Sequence, residues 1–185
     1  MKKQPEVTEQ TRANLRQAFW ELYGTKSIEK ITIREITERA GYNRATFYLY
    51  FRDVYDLLAQ IEEEILGEVR LLVNNGLMQE KTLDLTHHMG RIVQLTQRYE
   101  TYMPKLIGGP YGDPRFAEQL KEVMAPLLDR FILPPSGLTE EQRHVLREFY
   151  LSGLLAAISA WVGNHNRMPI DQLIGLIVTA VVGEQ

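Results

Sequence analysis

Between Thr32 and Tyr55 the chain gathers side chains suited to a polyanion and to the base edges between its strands. Arg44 and Arg52 supply guanidinium groups; Thr32, Asn43 and Thr46 supply short polar groups; Tyr48, Tyr50 and Tyr55 supply phenolic hydroxyls. Such donors bond phosphate oxygens, while small or apolar residues such as Ala45 and Leu49 suit base edges. No other chemistry competes. The chain has no Gly-x-Ser-x-Gly elbow and no His-Glu-x-x-His pair, and Ser152 sits in an apolar run that suits packing. His87 and His88 are sequence neighbours, which do not face one another on a helix, and no third ligand follows at suitable spacing. We therefore expect no catalytic residue, no metal site and no cofactor.

The elements that must hold these groups are marked by local signals. Thr32 followed by Glu35 is a capping box, and Ile33, Ile36 and Ala40 place an apolar stripe on the short helix it opens. Gly41 is suited to close that helix in a left-handed conformation. Asn43 is a second N-cap, opening a helix that buries Phe47 and Phe51 and exposes Arg44, Ala45, Thr46, Tyr48, Leu49 and Tyr50. Asp53 caps a third start, with Asp56 in its first turn. Two short helices around a tight glycine turn describe a helix-turn-helix. A helix over 8–23, capped by Thr8 and apolar at Leu15, Ala18, Phe19 and Leu22, is the scaffold behind it, with Trp20 and Tyr23 as packing residues.

The run from Ile31 through Thr-Ile-Arg-Glu-Ile, Ala-Gly-Tyr-Asn-Arg-Ala-Thr-Phe-Tyr-Leu-Tyr-Phe to Leu57-Leu58 resembles the DNA-binding domain of the TetR family of transcriptional regulators. The resemblance covers residues 8–68. It implies an all-α chain: an N-terminal three-helix helix-turn-helix domain joined to a larger helical ligand-binding and dimerisation domain over 76–185. It also implies that the helix from Asp53 to about Asn74 acts as the lever between ligand site and DNA domain. One position departs from the family pattern. Relatives commonly place a phosphate-contacting lysine where this chain has Val54, leaving Arg52 or Tyr55 to replace it.

Length and charge agree with this outline. The 185 residues suffice for one large domain or two small ones. Residues 1–58 carry ten Lys/Arg and eight Asp/Glu, a net of +2, and the remainder 11 and 16, a net of −5. A slightly basic head on an acidic body is compatible with a small DNA-facing surface. The absence of cysteine and of an apolar run near Met1 leads us to expect a cytoplasmic protein without a signal peptide.

Beyond a stop at Asn74-Asn75-Gly76, the pattern predicts helices over 82–103, from the Asp113 cap to about Leu133, from the Thr139–Gln142 capping box to about Gly163, and over 170–182. The segment 108–114 reads as a loop, and Pro126 as a kink or break. Tyr99, Met103, Phe116, Met124, Tyr150 and Trp161 are the candidates for an effector pocket between these helices. Residues 149–163 carry no charge, too short a run for a membrane span, and 170–182 are nearly as apolar. One small body cannot bury both helices on all sides. Gly153, Ala157, Ala160, Ile174, Ile177 and Val178 are therefore expected at a homodimer interface, forming a four-helix bundle across a two-fold axis. The Ser-Gly-Leu-Leu, Trp161 and Asp-Gln-Leu pattern of these helices also resembles the regulators of dihydroxyacetone kinase operons.

Together these readings predict a sequence-specific regulator of double-stranded operator DNA: a repressor, released from a palindrome by a small-molecule effector. The alternatives are an activator or co-regulator of the same fold, or a helical interaction dimer whose head does not bind DNA. No membrane partner is expected.

Overall fold

The computed structural model describes residues 5–83, 85–107, 112–162, 164 and 168–182, and these form helices and connections with no strand among them. The chain divides into two compact units, Met1–Glu63 and Glu64–Gln185.

In the first unit, helix α1 (Pro5–Tyr23) begins ahead of the expected Thr8 cap, at a proline whose missing N–H is no loss in a first turn. Its inner face buries Leu15, Phe19 and Leu22, while Trp20 and Tyr23 pack with Phe19 as expected. The Phe19 and Tyr23 rings stack at 5.5 Å. Each such side chain removed from water stabilises the unit by roughly 1.5–3 kcal/mol. A 3-10 turn (Ile28–Lys30) then leads to α2 (Ile33–Ala40), which packs on α1, and α3 (Arg44–Tyr48) packs on α2. Gly41 sits at φ +77 with open space around it, so conformation rather than crowding demands glycine there. Phe47 and Phe51 lie 5.4 Å apart in the core below α3.

Helix α4 (Val54–Asn75) is common to both units. Its start is set as predicted, the Asp56 N–H donating to Asp53 Oδ1 at 2.8 Å. Leu57, Leu58 and Ile61 are buried in the first unit, and Ile65, Leu66, Leu72 and Val73 in the second. It stops at Gly76, where a Cβ would meet the Leu72 carbonyl at 2.6 Å and the His88 ring at 3.1 Å.

The second unit departs from the sequence reading over 82–103. In place of one helix there is a 3-10 turn at Thr86–His88, then α5 (Met89–Arg98), then α6 (Met103–Ile107). Pro104 explains the second break, because a residue without an N–H belongs in the first turn of a helix. Helix α7 (Pro114–Phe131) opens on Asp113, which accepts from the Arg115 N–H at 2.7 Å, and it continues through Pro126. Helix α8 (Glu140–Val162) has its capping box in place: Thr139 N–H to Gln142 Oε1 at 2.9 Å and Gln142 N–H to Thr139 Oγ1 at 3.2 Å. Arg147 of α8 grips Asp129 of α7 through two bonds, 2.9 and 2.7 Å. Helix α6 packs on α7 and α8, and α9 (Ile170–Val182) packs on α5.

At 23 residues α8 is longer than its uncharged stretch, and by length and composition it could cross a membrane. Its first two turns, however, carry Glu140, Glu141, Arg143, His144 and Arg147, and its apolar residues Leu151 and Leu155 are buried against protein. Of the expected loop and turn, residues 108–111, 163 and 165–167 lie outside the described residues.

Candidate nucleic-acid interface and internal cavity

The interface is built on caps. At the start of α2 the Thr32 N–H donates to Glu35 Oε2 at 3.0 Å, and the Glu35 N–H donates to Thr32 Oγ1 at 3.3 Å. Lys26 Nζ meets Glu35 Oε1 at 2.6 Å. The Lys26 bond, then the bonds from Thr32, hold the Glu35 carboxyl down at about 2. At α3, Asn43 Oδ1 accepts from the Thr46 N–H at 2.9 Å and from the Thr46 hydroxyl at 3.2 Å. The hydroxyl protons of Thr32 and Thr46 are thus engaged within the domain, Thr32 donating to Glu35 Oε2 at 2.9 Å. Thr32, Asn43 and Thr46 serve first as frame.

What the frame presents is Arg44, Ala45, Tyr48 and Leu49, all exposed, with Tyr48 at 58% and Leu49 at 63%. Helix α3 is shorter than the expected Arg44–Tyr50 span: Leu49 is its C-cap and Tyr50, half-buried, lies in the following turn. Three other arginines of this domain are held by acids. Arg34 meets Glu38 at 2.7 Å, Arg39 meets Glu21 at 3.2 Å and Arg52 meets Asp56 at 3.1 Å. Arg44 has no such carboxylate among the described residues. Its guanidinium is thus available to an external phosphate or base.

Val54 is buried at 7% exposure, part of the core below α3. Its side chain does packing work at the place where the family pattern has a lysine. Of the two replacements considered, Tyr55 is 57% exposed, whereas the Arg52 guanidinium is engaged with Asp56. The Arg52 backbone N–H, the largest cause, holds the Asp56 carboxyl below the usual range against the opposing effect of burial.

Sequence reasoning missed the ties behind this surface. Gln60 of α4 donates to the Tyr50 carbonyl at 3.3 Å and to Asp56 at 3.2 Å, while Arg12 of α1 donates to Gln60 at 2.9 Å. Asn14 donates to the Tyr42 hydroxyl at 3.1 Å, fixing the residue after the glycine turn to α1. Gln60 and Asp56 are one helical turn apart, but the other pairs are separated by 10 to 48 residues, and no local spacing announces them.

The second unit holds a cavity of about 330 Å³, walled almost wholly by aliphatic side chains. Tyr99, Met103, Met124, Tyr150 and Trp161 stand in its wall. Phe116, the sixth candidate, is fully buried and is not part of the lining. Ile174, Ile177 and Val178, expected at a subunit interface, stand in the cavity wall and are half-buried. Gly153 and Ala160 are exposed on α8 and Ala157 is half-buried. The polar groups of the wall are mostly satisfied internally: the Thr96 hydroxyl donates to the Ile92 carbonyl at 2.9 Å and Trp161 Nε1 to the Met168 carbonyl at 2.7 Å. The Tyr99 hydroxyl donates to Glu64 of α4 at 3.1 Å; burial, then the Glu64 charge, pushes its pKa up to about 12. The adjacent histidines lie apart from this cavity's lining, His88 meeting Glu80 at 3.0 Å.

Comparison with known proteins agrees with this geometry. Residues 15–61 match the family of bacterial regulatory proteins, tetR family. No curated protein sequence matches the chain. Among solved structures, it is similar to a TetR transcriptional regulator from Streptococcus agalactiae 2603V: TM-score 0.66, 18% identity, 95% of this chain and 96% of that one covered. It is also similar to the fatty acid degradation regulator FadR from Bacillus halodurans, with TM-score 0.62, 15% identity and coverage of 99% and 97%. A third is the dihydroxyacetone kinase operon activator DhaS, at TM-score 0.54, 17% identity and coverage of 93% and 96%. Residues 15–61 are thus similar to the tetR family of bacterial regulatory proteins, and the chain that carries them has the fold seen in a solved TetR transcriptional regulator.

Proposed function

We propose that this DNA-binding regulator is a cytoplasmic homodimeric repressor that leaves a palindromic operator when a small molecule occupies the cavity of its second unit. The observation that carries the reading is the capped helix α3, which presents Arg44, Ala45, Tyr48 and Leu49 outward from a domain of the tetR family. A helix so held fits a major groove, its arginine and hydroxyls meeting phosphates or bases. Tyr55 takes the place of the absent lysine. Thr32, Asn43, Thr46, Tyr50 and Arg52 complete the interface, chiefly by fixing it.

The dimer reading is supported by what α8 and α9 leave uncovered. Val145, Phe149, Ser152, Gly153, Ala156 and Ala160 lie exposed along one stripe of α8, Phe149 at 70%. On α9 the exposed residues include Gly175, Leu176 and Ala180, with Leu176 at 59%. A second copy is the natural cover for such stripes. Pairing would set two recognition helices one DNA turn apart, ~34 Å for adjacent half-sites. Communication would run through α4, to which the cavity residue Tyr99 is tied at Glu64.

The test is the protein's own upstream DNA in a titration at several salt concentrations. Specific, steeply salt-dependent binding to a palindrome supports the reading; only weak binding, blind to sequence, refutes it. The activator sign has one observation in its favour, since DhaS, a neighbour in fold, is an operon activator. A reporter driven by the bound promoter separates the two: deletion of the regulator raises expression under a repressor and lowers it under an activator.

A further inference from the structure

Resting on the reading of the cavity as an effector site, we infer that its ligand is an uncharged, predominantly aliphatic molecule carrying a single hydrogen-bonding group, which Tyr150 receives. Among the described residues the wall contains no lysine, arginine or histidine. An anionic head group placed inside would therefore lose its hydration with no cation to replace it, at a cost of several kcal/mol. Glu100, the one carboxylate among the described residues of the wall, is exposed and would repel an anion approaching it. A cation would find that carboxylate only in water, where the attraction is weak. Charge of either sign is thus disfavoured within, and aliphatic surface is what the wall rewards.

The position of the polar group follows from the hydrogen bonds already made. Thr96, Tyr99 and Trp161 spend their donors on Ile92, Glu64 and Met168. Tyr150 also stands in the wall, and its hydroxyl makes no hydrogen bond among the described residues. A half-buried hydroxyl at the edge of an apolar cavity can both donate and accept, so an alcohol, ketone or ester of a medium-length chain would satisfy it.

The test is calorimetric titration of the full chain with decanol, decanoate and decyltrimethylammonium below their aggregation concentrations. Decanol should bind at least about tenfold more tightly than either ion. Tyr150→Phe should weaken decanol about fivefold, the worth of one neutral hydrogen bond, while thermal unfolding of the free protein is unchanged. Leu154→Trp, which puts an indole into the cavity, should abolish decanol binding. Equal or tighter binding of either ion, full decanol affinity in Tyr150→Phe, retained binding in Leu154→Trp, or no binding of any probe overturns the inference. Operator affinity is read separately. If decanol binds as stated but leaves operator affinity unchanged, the ligand class stands and the regulatory reading of the cavity falls.

Discussion

On the proposed reading, Arg44 and Tyr48 would differ in what they tell a promoter. Tyr48→Phe removes one phenolic proton from an exposed ring, so its effect should be uniform across operator variants, about tenfold if the partner is a phosphate. Arg44→Ala should cost about 1–3 kcal/mol, and a base contact would show as relaxed preference at one operator position. Binding of both variants to a panel of mutated operators checks this; loss of neither affinity nor preference in Arg44→Ala removes α3 from the interface. Glu35 carries a pH signature. Its carboxyl falls from the ordinary 4.5 to about 2, so its contribution is present above 4.5 and is lost as pH falls toward 2. The stability gap between wild type and Glu35→Gln should therefore shrink over that window in urea unfolding. A constant gap would mean the Lys26 and Thr32 bonds are not what holds the carboxyl charged.

Elements were legible where their signals are local. The capping boxes at Thr32 and Thr139 and the single caps at Asn43 and Asp113 all fell on helix starts, since each spans only a turn. The same locality carries a prediction at Gly41. With φ at +77 and no neighbour within 4 Å, Gly41→Ala meets only backbone strain and should destabilise the first unit by ~1–2 kcal/mol, while Gly153→Ala in α8 should be stabilising or neutral. Chemical denaturation of the two variants gives the comparison. Periodicity was the weaker guide. Leu85, Met89, Ile92, Tyr99 and Met103 share an apolar side at helical spacing, yet the chain breaks after Arg98 and restarts at Met103. Residues can face one cavity from two short helices as well as from one long one. Pro104 was the local signal that could have told them apart.

For the molecule as a whole, composition identified α8 and α9 as too apolar for one body but could not assign their faces. Ile174, Ile177 and Val178 line a cavity, whereas Leu176 and Phe149 face outward. An apolar side chain has the same sequence signature in either place, and only the packing of α5 and α7 distinguishes them. The outward residues give the sharper test of assembly. Phe149→Lys, at a fully tolerant exposed site for a monomer, should shift sedimentation from dimer to monomer and cut operator affinity by at least about tenfold, with helicity intact. An unchanged dimer would move the interface off this stripe. Two copies need to bury roughly 1,200–2,000 Å² to associate stably.

The division of the chain falls between Glu63 and Glu64, in the middle of α4, where a run of three glutamates begins at Glu62. A glutamate-specific protease would find there its densest recognition sequence, yet it can cut only backbone that unwinds into an extended strand. Opening α4 at that point would break its hydrogen bonds and lift Ile61 and Ile65 out of two cores at once. Brief digestion should therefore spare the boundary and cut first at Glu80, between helices, or at the exposed Glu140 and Glu141 of the first turn of α8. The DNA-reading head would not be released as a fragment ending at Glu62 to Glu64, and its early appearance in a mass spectrum would show α4 to be a hinge in solution.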